Sequence, residues 1–242
     1  MKKYIVILST ILAFAAFLSG CTPPPPPELS VSISSSPLLQ SSEAIIHVKV
    51  VNPSNDDWQN YKLLVGYAPE DDPSMVQISE LPLSLAAGQT FEQDVTWLAN
   101  FQPAEGVKYQ VRLALVSAEN SPLGETSAIV EFTQPTVSVS VNPAQLTQGT
   151  QATISLQVNN PSGVEMQGYT LSVGYGLVGD SSSYLIQDLP INLKAGETFN
   201  QDITWVLDYV PASGNYEVRA ALIMPGSVFV TQSVTPVTLT AP

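Results

Sequence analysis

The chain has 242 residues, with 21 Asp and Glu against 8 Lys and Arg, which gives a formal net charge of −13 at pH 7. This acidic excess disfavours nucleic acid and anionic lipid headgroups as partners, because like charges repel. It also helps to keep an exported protein soluble. A single cysteine excludes an intrachain disulfide, so we expect the folded domains to be stabilised by core packing alone.

Residues 1–20 have the layout of a secretory signal peptide. Lys2 and Lys3 precede an apolar block that ends at Leu18, and small residues follow it. The block is shorter than the ~20 apolar residues of a transmembrane helix, and the prolines behind it prevent a helical extension. We therefore predict a leader that is cleaved, with an uncleaved anchor as the alternative.

The four residues Leu18-Ser19-Gly20-Cys21 resemble the bacterial lipobox. The resemblance implies that a dedicated signal peptidase cuts before Cys21 and that its thiol is diacylated. Two or more acyl chains give stable anchoring at about 0.8 kcal/mol per buried CH₂. Thr22 stands where Gram-negative lipoproteins use Asp as an inner-membrane retention signal. We therefore expect a protein lipid-anchored to the bacterial cell envelope, at the outer membrane or cell surface.

Residues 21–28 combine the predicted lipid site with a spacer of five consecutive prolines. Such a run adopts polyproline II, which rises about 3.1 Å per residue. The spacer is expected to hold the first domain roughly 20 Å from the lipid surface at that rise. A disordered segment or a recognition motif for another protein is the alternative.

The rest of the chain contains two copies of one sequence, 108 residues apart. The register holds without a gap from Leu29 to Trp97 in the first copy, after which one residue is lost. The matching segments include Asn52-Pro-Ser54 with Asn160-Pro-Ser162, Val65-Gly-Tyr67 with Val173-Gly-Tyr175, and residues 87–97 with residues 195–205. We predict two domains, 29–134 and 135–242, whose short linker at residues 133–136 makes them a semi-rigid rod.

Within each copy, apolar residues recur at every second position, which is typical of half-buried β-strands. In the first copy the inward rows are Ile46, Val48 and Val50; Tyr61, Leu63, Val65 and Tyr67; Phe91, Val95 and Trp97; and Tyr109, Val111, Leu113 and Leu115. About seven short strands in some 100 residues indicate an immunoglobulin-like β-sandwich. The fold class is therefore all-β, with two tandem immunoglobulin-like sandwiches. Tyr109 and Tyr216 are predicted to be tyrosine corners, and Trp97 and Trp205 to fill the cores.

The segment from Leu81 to Trp97 resembles the bacterial cell-adhesion-related domain family, CARDB. It reads Leu-Pro-x-x-Leu-x-Ala-Gly-x-Thr-Phe-x-Gln-Asp-Val-Thr-Trp, and Tyr-x-Val-Arg follows after a gap. The second copy repeats it with one change, Ile for Val, and the likeness covers most of each copy. The resemblance implies an immunoglobulin-like fold and a role in adhesion, scaffolding or as an accessory to an enzyme.

The reactive side chains of the sequence do not form a pattern that indicates an enzyme or a cofactor site. The only histidine, His47, lies on the polar side of its strand, and its counterpart in the second copy is Ser155. A nucleophile pair needs a base that a third group orients, and a zinc site needs three or four converging ligands. His47 is therefore interpreted as a surface residue.

Carboxylates leave calcium as a weak possibility, because calcium prefers oxygen ligands. Asp56 and Asp57 lie in one loop of the first copy, and Asp71 and Asp72 lie in another. Loops at different strand ends need not meet, so solvated turns are the alternative interpretation.

Two aromatic residues are candidates for ligand contact because the two copies differ there. Trp58 corresponds to Met166, and Tyr184 corresponds to Val76. The shared core does not require either ring, so we expect both to be exposed.

Together these features predict a membrane-anchored exported lipoprotein. It presents two immunoglobulin-like domains as a non-catalytic protein-binding, adhesion or scaffolding module, whose partner is an envelope protein or a glycan. The alternative is a carbohydrate-binding surface module, and an enzyme accessory subunit is a further possibility.

Overall fold

The computed structural model describes residues 25–104 and 106–241. These residues form fifteen β-strands in four sheets and no helix, so the all-β prediction is confirmed. Among them, therefore, nothing has the length and apolar character of a membrane-crossing helix. The strands are β1 (Glu28–Ile33), β2 (Glu43–Val51), β3 (Trp58–Pro69), β4 (Val76–Leu85), β5 (Thr90–Leu98), β6 (Tyr109–Val116), β7 (Pro122–Val130), β8 (Thr136–Asn142), β9 (Gln145–Thr147), β10 (Gln151–Asn159), β11 (Met166–Leu177), β12 (Tyr184–Leu193), β13 (Thr198–Val206), β14 (Gly214–Met224) and β15 (Val228–Thr240).

The described strands build two sandwiches in tandem. In the first sandwich, the sheet β1-β2-β5 packs on the sheet β4-β3-β6-β7; in the second, β8-β10-β13 packs on β12-β11-β14-β15-β9. The central strands β2 and β10 alternate exposed and buried residues, because successive side chains of a strand point to opposite faces. Trp97 and Trp205 are buried, as predicted. The prediction of two tandem sandwiches is confirmed.

Both predicted tyrosine corners are present. The hydroxyl of Tyr109 accepts a hydrogen bond from the backbone N–H of Ala104 at 3.2 Å, and the hydroxyl of Tyr216 donates to the carbonyl of Ala212 at 2.9 Å. Both rings are buried. Each corner therefore fixes the loop that precedes β6 or β14.

Replacing Tyr216 with Phe is expected to destabilise the second sandwich by about 1 kcal/mol, the usual net value of one such hydrogen bond. Tyr209 is half exposed, so Tyr209→Phe is a control that should change stability by less than about 0.5 kcal/mol. Urea unfolding followed by tryptophan fluorescence checks both values. Equal effects from the two variants would contradict the role given to the corner.

The Asn-Pro-Ser turns hold two loops of each sandwich together. In the second sandwich the buried Asn160 donates through Nδ2 to the carbonyls of Val164 (2.8 Å) and Lys194 (2.9 Å). Its Oδ1 accepts from the backbone N–H of Ser162 (3.2 Å) and from its hydroxyl (2.6 Å). Asn52 makes the same set of bonds in the first sandwich. The turn thus joins the β10–β11 loop to the β12–β13 loop.

A leucine from the first sandwich joins the two units. Leu38 packs in the first core, but its neighbour Leu39, only 2% exposed, packs in the second core. Val164 contacts both cores, and the N–H of Gly163 donates to the carbonyl of Pro37 at 2.8 Å. Because Leu39 lies in the β1–β2 loop and Val164 in the β10–β11 loop, the sandwiches are stacked end to end. Leu39 lies within the predicted first domain, 29–134, yet its side chain belongs to the second core.

The residues of this junction differ from their counterparts in the other copy. Thr147 stands at the position of Leu39 and is exposed, and Asp56 stands at the position of Val164 and is exposed. Two apolar residues are therefore present only where the sandwiches meet.

Candidate binding surface at the end of the second sandwich

Three tyrosines meet at the end of the second sandwich that is opposite the junction. They come from the end of β11 (Tyr175), the start of β12 (Tyr184) and the β13–β14 loop (Tyr209). The ring of Tyr184 lies 5.2 Å from that of Tyr175 and 5.4 Å from that of Tyr209. Tyr175 is buried, whereas Tyr184 is 44% and Tyr209 is 52% exposed. We call these three residues the tyrosine tip.

The rings of the tip are held by each other and by the backbone. The hydroxyl of Tyr175 donates to the carbonyl of Tyr209, and aromatic pairs at such separations contribute about 0.5–1.5 kcal/mol each. Burial, followed by the charges of neighbouring tyrosines and of Asp208, raises the pKa of Tyr175. Partial burial and its neighbours, Tyr209 first and Asp180 last, also raise the pKa of Tyr184. The tip therefore presents neutral phenol rings in acidic surroundings.

An arginine holds the β11–β12 loop that leads into Tyr184. Its guanidinium, from Arg219 in β14, donates to the carbonyls of Leu177 (3.2 Å), Ser182 (3.2 Å) and Asp180, and pairs with Glu217 at 2.8 Å. In the first sandwich the equivalent Arg112 donates to the carbonyls of Asp72 and Ser74. This clamp was not predicted, although the shared Tyr-x-Val-Arg sequence carries its signal.

The same loop lies against the backbone of β11. A Cβ on Gly174 would lie 2.8 Å from the carbonyl oxygen of Tyr184, so a larger residue would displace that carbonyl. The carboxylate of Asp180 accepts from the N–H of Ser182 at 2.9 Å, and hydrogen bonding by Ser182 lowers the pKa of Asp180. Gly174 lies at a bulge of β11, where a glycine lets another backbone approach closely.

Replacing Arg219 with Ala is expected to release the β11–β12 loop. Its side chain is only 15% exposed, and hydrogen bonds to a charged group contribute about 1.5–3 kcal/mol each. Hydrogen exchange of the amides of residues 178–183 should accelerate about tenfold or more, which corresponds to at least one such bond. Arg112→Ala is the matched control, because it should accelerate exchange at residues 70–75 and leave residues 178–183 unchanged.

Trp58 is not an exposed aromatic residue, so the prediction that it is a surface ligand contact is wrong. It is 7% exposed, lies in the first core and stacks on Tyr61 at 5.3 Å. Its counterpart Met166 is fully buried in the second core. The difference between the copies at this position reflects how each core is filled. Tyr184 is exposed as expected.

The four aspartates considered for calcium do not come together. Asp56 and Asp57 precede β3, and Asp71 and Asp72 follow it, so a strand of 12 residues separates the pairs. Asp57 accepts from the N–H of Ala87 at 2.9 Å, and Asp72 accepts from the hydroxyl of Ser74 at 2.7 Å. In the part of the chain that the structure describes, no three His, Cys, Asp or Glu residues converge as metal ligands. The two pairs cannot share one ion.

His47 lies on the surface, as expected. Its Nδ1 is 2.6 Å from Oδ1 of Asp94, and both side chains are about half exposed or more. The predicted lipid site, Cys21, lies outside the described residues, as do the first two prolines of the spacer. The last proline, Pro27, lies against β7, where a Cβ on Gly124 would be 3.2 Å from its Cγ.

No protein-family model matches the chain. No curated protein matches it significantly. A crystal structure of red sea bream transglutaminase is similar over 87% of this chain and 31% of its own length, with 14% identity and a TM-score of 0.36. The CARDB domain of a Pyrococcus furiosus protein, crystallised in complex with di-metal ions, is similar over 44% of this chain and 87% of its own length, with 14% identity and a TM-score of 0.34. The chain spans about a third of the length of the transglutaminase. The two-sandwich fold rests on the strand pairing described above.

Proposed function

We propose that this protein is an exported lipoprotein that is anchored to the bacterial envelope through Cys21 and uses its two stacked sandwiches as a non-catalytic protein-binding module. The observation that carries the proposal is the exposed tyrosine tip. It lies at the end of the second sandwich away from the junction, whereas residue 28 lies at the opposite end of the first sandwich. The tip is thus the part of the pair furthest from the proposed anchor.

The combined length of the two sandwiches supports a role in holding the tyrosine tip away from the membrane. The strands β3 and β11 have 12 residues each, and a strand rises about 3.3 Å per residue. Two sandwiches of roughly 40 Å, stacked end to end, would hold the tip roughly 80 Å from residue 28 at that rise. The junction at Leu39 keeps the two sandwiches stacked and so maintains this distance. The tip can therefore contact a partner that a single domain would not reach.

Cross-linking of intact cells tests the proposal, with purification through this chain and mass spectrometry of the adducts. We expect a stoichiometric protein adduct that is lost when Tyr184 and Tyr209 are both changed to Leu. Val76→Ala, at the position of Tyr184 in the first sandwich, is the matched control and should keep the adduct. No protein adduct, or one that persists in the double variant, would reject a binding role for the tip.

The anchor gives a separate prediction. Cys21→Ser removes the only thiol of the chain, so the protein should fold unchanged and move from the membrane fraction to the soluble fraction. Two acyl chains hold a protein on a membrane far more strongly than any contact expected of an acidic surface. Fractionation of cells followed by immunoblotting is the measurement. A variant that still sediments with membranes would contradict the lipobox interpretation.

A carbohydrate-binding module is the second candidate, and the outer face of β8-β10-β13 favours it. In the first sandwich Lys49 pairs with Glu92 at 2.8 Å on the corresponding face. In the second sandwich Gln157 donates to Asn200 at 2.9 Å at the equivalent position. Neutral amides in place of charges suit a neutral polysaccharide. Binding to such a polysaccharide that is lost on Gln157→Ala, and kept on Lys49→Ala, would support this candidate.

A further inference from the structure

The tip differs from the equivalent end of the first sandwich in its chemistry. Three positions change beside the rings: Tyr184 replaces Val76, Tyr209 replaces Phe101, and Asp208 replaces Asn100; in the β11–β12 loop, Val178 and Gly179 replace Glu70 and Asp71. The first two add phenol rings to the surface, and the third adds a carboxylate beside them. Since the two copies share their core pattern, the fold does not require these changes.

The equivalent end of the first sandwich is only partly covered, and Val76 there is 54% exposed. Phe101 packs against Phe132, from the segment after β7, with ring centroids 5.2 Å apart. The second sandwich docks at the same end, through Leu39 and Pro37 of the β1–β2 loop. At this end the first sandwich thus covers Phe101 with its own residues, whereas the tip leaves the rings of Tyr184 and Tyr209 exposed.

A second copy of the chain does not suit the tip by the same contacts. In the second sandwich Thr147 stands at the position of Leu39, so no leucine would enter a further copy. In the first sandwich Asp56 stands at the position of Val164, so no apolar residue would receive it. Stacking of copies would place an Asp56 carboxylate in an apolar contact, which is costly without a partner charge. The contacts of the junction therefore do not fit a second copy at the tip.

The charges around the tip are negative. The second sandwich has seven carboxylates and two cations: Glu165, Asp180, Asp188, Glu197, Asp202, Asp208 and Glu217 against Lys194 and Arg219. Lys194 and Glu197 lie in the turn between β12 and β13 and Glu165 lies in the β10–β11 loop, so all three are at the junction end. Arg219 is engaged by Glu217 and by the carbonyls of the β11–β12 loop. Two carboxylates remain beside the rings: Asp208 is adjacent to Tyr209, and Asp180 lies in the β11–β12 loop. After burial and the neighbouring tyrosines, Asp180 adds to the raised pKa of Tyr184, and Asp208 adds to that of Tyr175.

We infer that the tyrosine tip binds arginine or lysine side chains of a partner protein, with Tyr184 and Tyr209 contacting the cation and Asp208 attracting it. Aromatic faces attract cations within about 6 Å, and Arg is the most frequent such partner. Carboxylates at the rim increase the association rate and select against acidic surfaces. This inference rests on the proposed function and adds to it the chemistry of the partner.

The test uses the full chain in detergent micelles and a synthetic peptide of twelve residues that alternates Arg and Gly. Titration calorimetry gives Kd for the wild type, for the double variant Tyr184→Leu with Tyr209→Leu, and for Asp208→Asn. Glu119→Gln is the matched control for charge, because Glu119 is exposed in the β6–β7 turn, at the far end of the first sandwich. A melting curve of each variant verifies that the sandwiches are folded.

We expect Kd to rise about tenfold or more in the double variant, since two ring contacts are lost. Asp208→Asn should raise Kd about two- to fivefold, as expected for one exposed charge pair, and Glu119→Gln less than about twofold because salt screens distant charges. An unchanged Kd in the double variant, equal effects of Asp208→Asn and Glu119→Gln, or equal binding of a peptide with Ser in place of Arg would overturn the inference. If the peptide fails while cell cross-linking still depends on Tyr184 and Tyr209, the partner chemistry is wrong and the proposed function stands. If both fail, the proposed function fails too.

Discussion

Leu39→Asp is expected to uncouple the two sandwiches while leaving each of them folded. The Leu39 side chain is 2% exposed and lies in the core of the second sandwich, although it belongs to the β1–β2 loop of the first. Removing a buried leucine costs about 2–5 kcal/mol, and an aspartate cannot take its place without an unpaired buried charge. We therefore expect the loop to leave the second core and the junction to lose about 3–5 kcal/mol.

Distance measurements between spin labels test this expectation. Labels attached through Ser32→Cys and Ser140→Cys would lie on exposed faces of β1 and β8. The wild type should give one narrow distance distribution, and Leu39→Asp should broaden it strongly. Thr147→Asp is the matched control, because Thr147 occupies the same loop position in the second sandwich and is exposed. A distribution that stays narrow in Leu39→Asp would show that the junction is held by other contacts.

Asn160→Ala is expected to have the second-largest effect. The carboxamide of Asn160 is buried and bonded to the carbonyls of Val164 and Lys194 and to both polar groups of Ser162. Its loss leaves buried carbonyls without a donor, at about 1–3 kcal/mol each, so we expect a total loss of about 2–4 kcal/mol in the stability of the second sandwich.

Asn52→Ala is the control that separates the turn from the junction. Both variants should lower the stability of their own sandwich by a similar amount in calorimetric melting. Only Asn160→Ala should also broaden the distance distribution between the labels, because its turn positions Gly163 and Val164 against the first sandwich. Equal broadening in both variants would mean that the turn does not support the junction.

The strands and the cores were predictable because a period of two and an internal repeat reinforce each other. Each inward row of the first copy has a matching row in the second, which rules out a chance alternation. The tyrosine corners were predictable because Tyr109 and Tyr216 keep the same position near the start of the penultimate strand of each sandwich. These features depend on short-range patterning, which the sequence carries directly.

The junction could not be predicted from patterning. Leu38 and Leu39 are adjacent leucines in a loop, and no local rule indicates that they enter different cores. The available signal was the comparison with the second copy, which keeps Leu146 at the first position and has Thr147 at the second. A position that is apolar in one repeat and polar in the other marks either a contact between repeats or a difference in core filling.

That ambiguity also explains the outcome at the two aromatic candidates. Trp58 and Tyr184 both differ from their counterparts, but one fills a core and the other lies at the surface. The corresponding residue in the other copy distinguishes the two cases. Trp58 corresponds to Met166, which is another large core residue. Tyr209 gives no such signal, because its counterpart Phe101 is an aromatic residue too.

Binding at the tyrosine tip is tested by a photo-reactive benzophenone amino acid placed at Tyr184 and, separately, at Val76, in the full chain on intact cells. The two positions are equivalent in the two sandwiches and are exposed to a similar degree, 44% and 54%. We expect a discrete protein adduct from position 184 and none from position 76. An adduct from position 76 alone, or none from position 184 while the protein is anchored and folded, would contradict the claim that the tyrosine tip engages a partner.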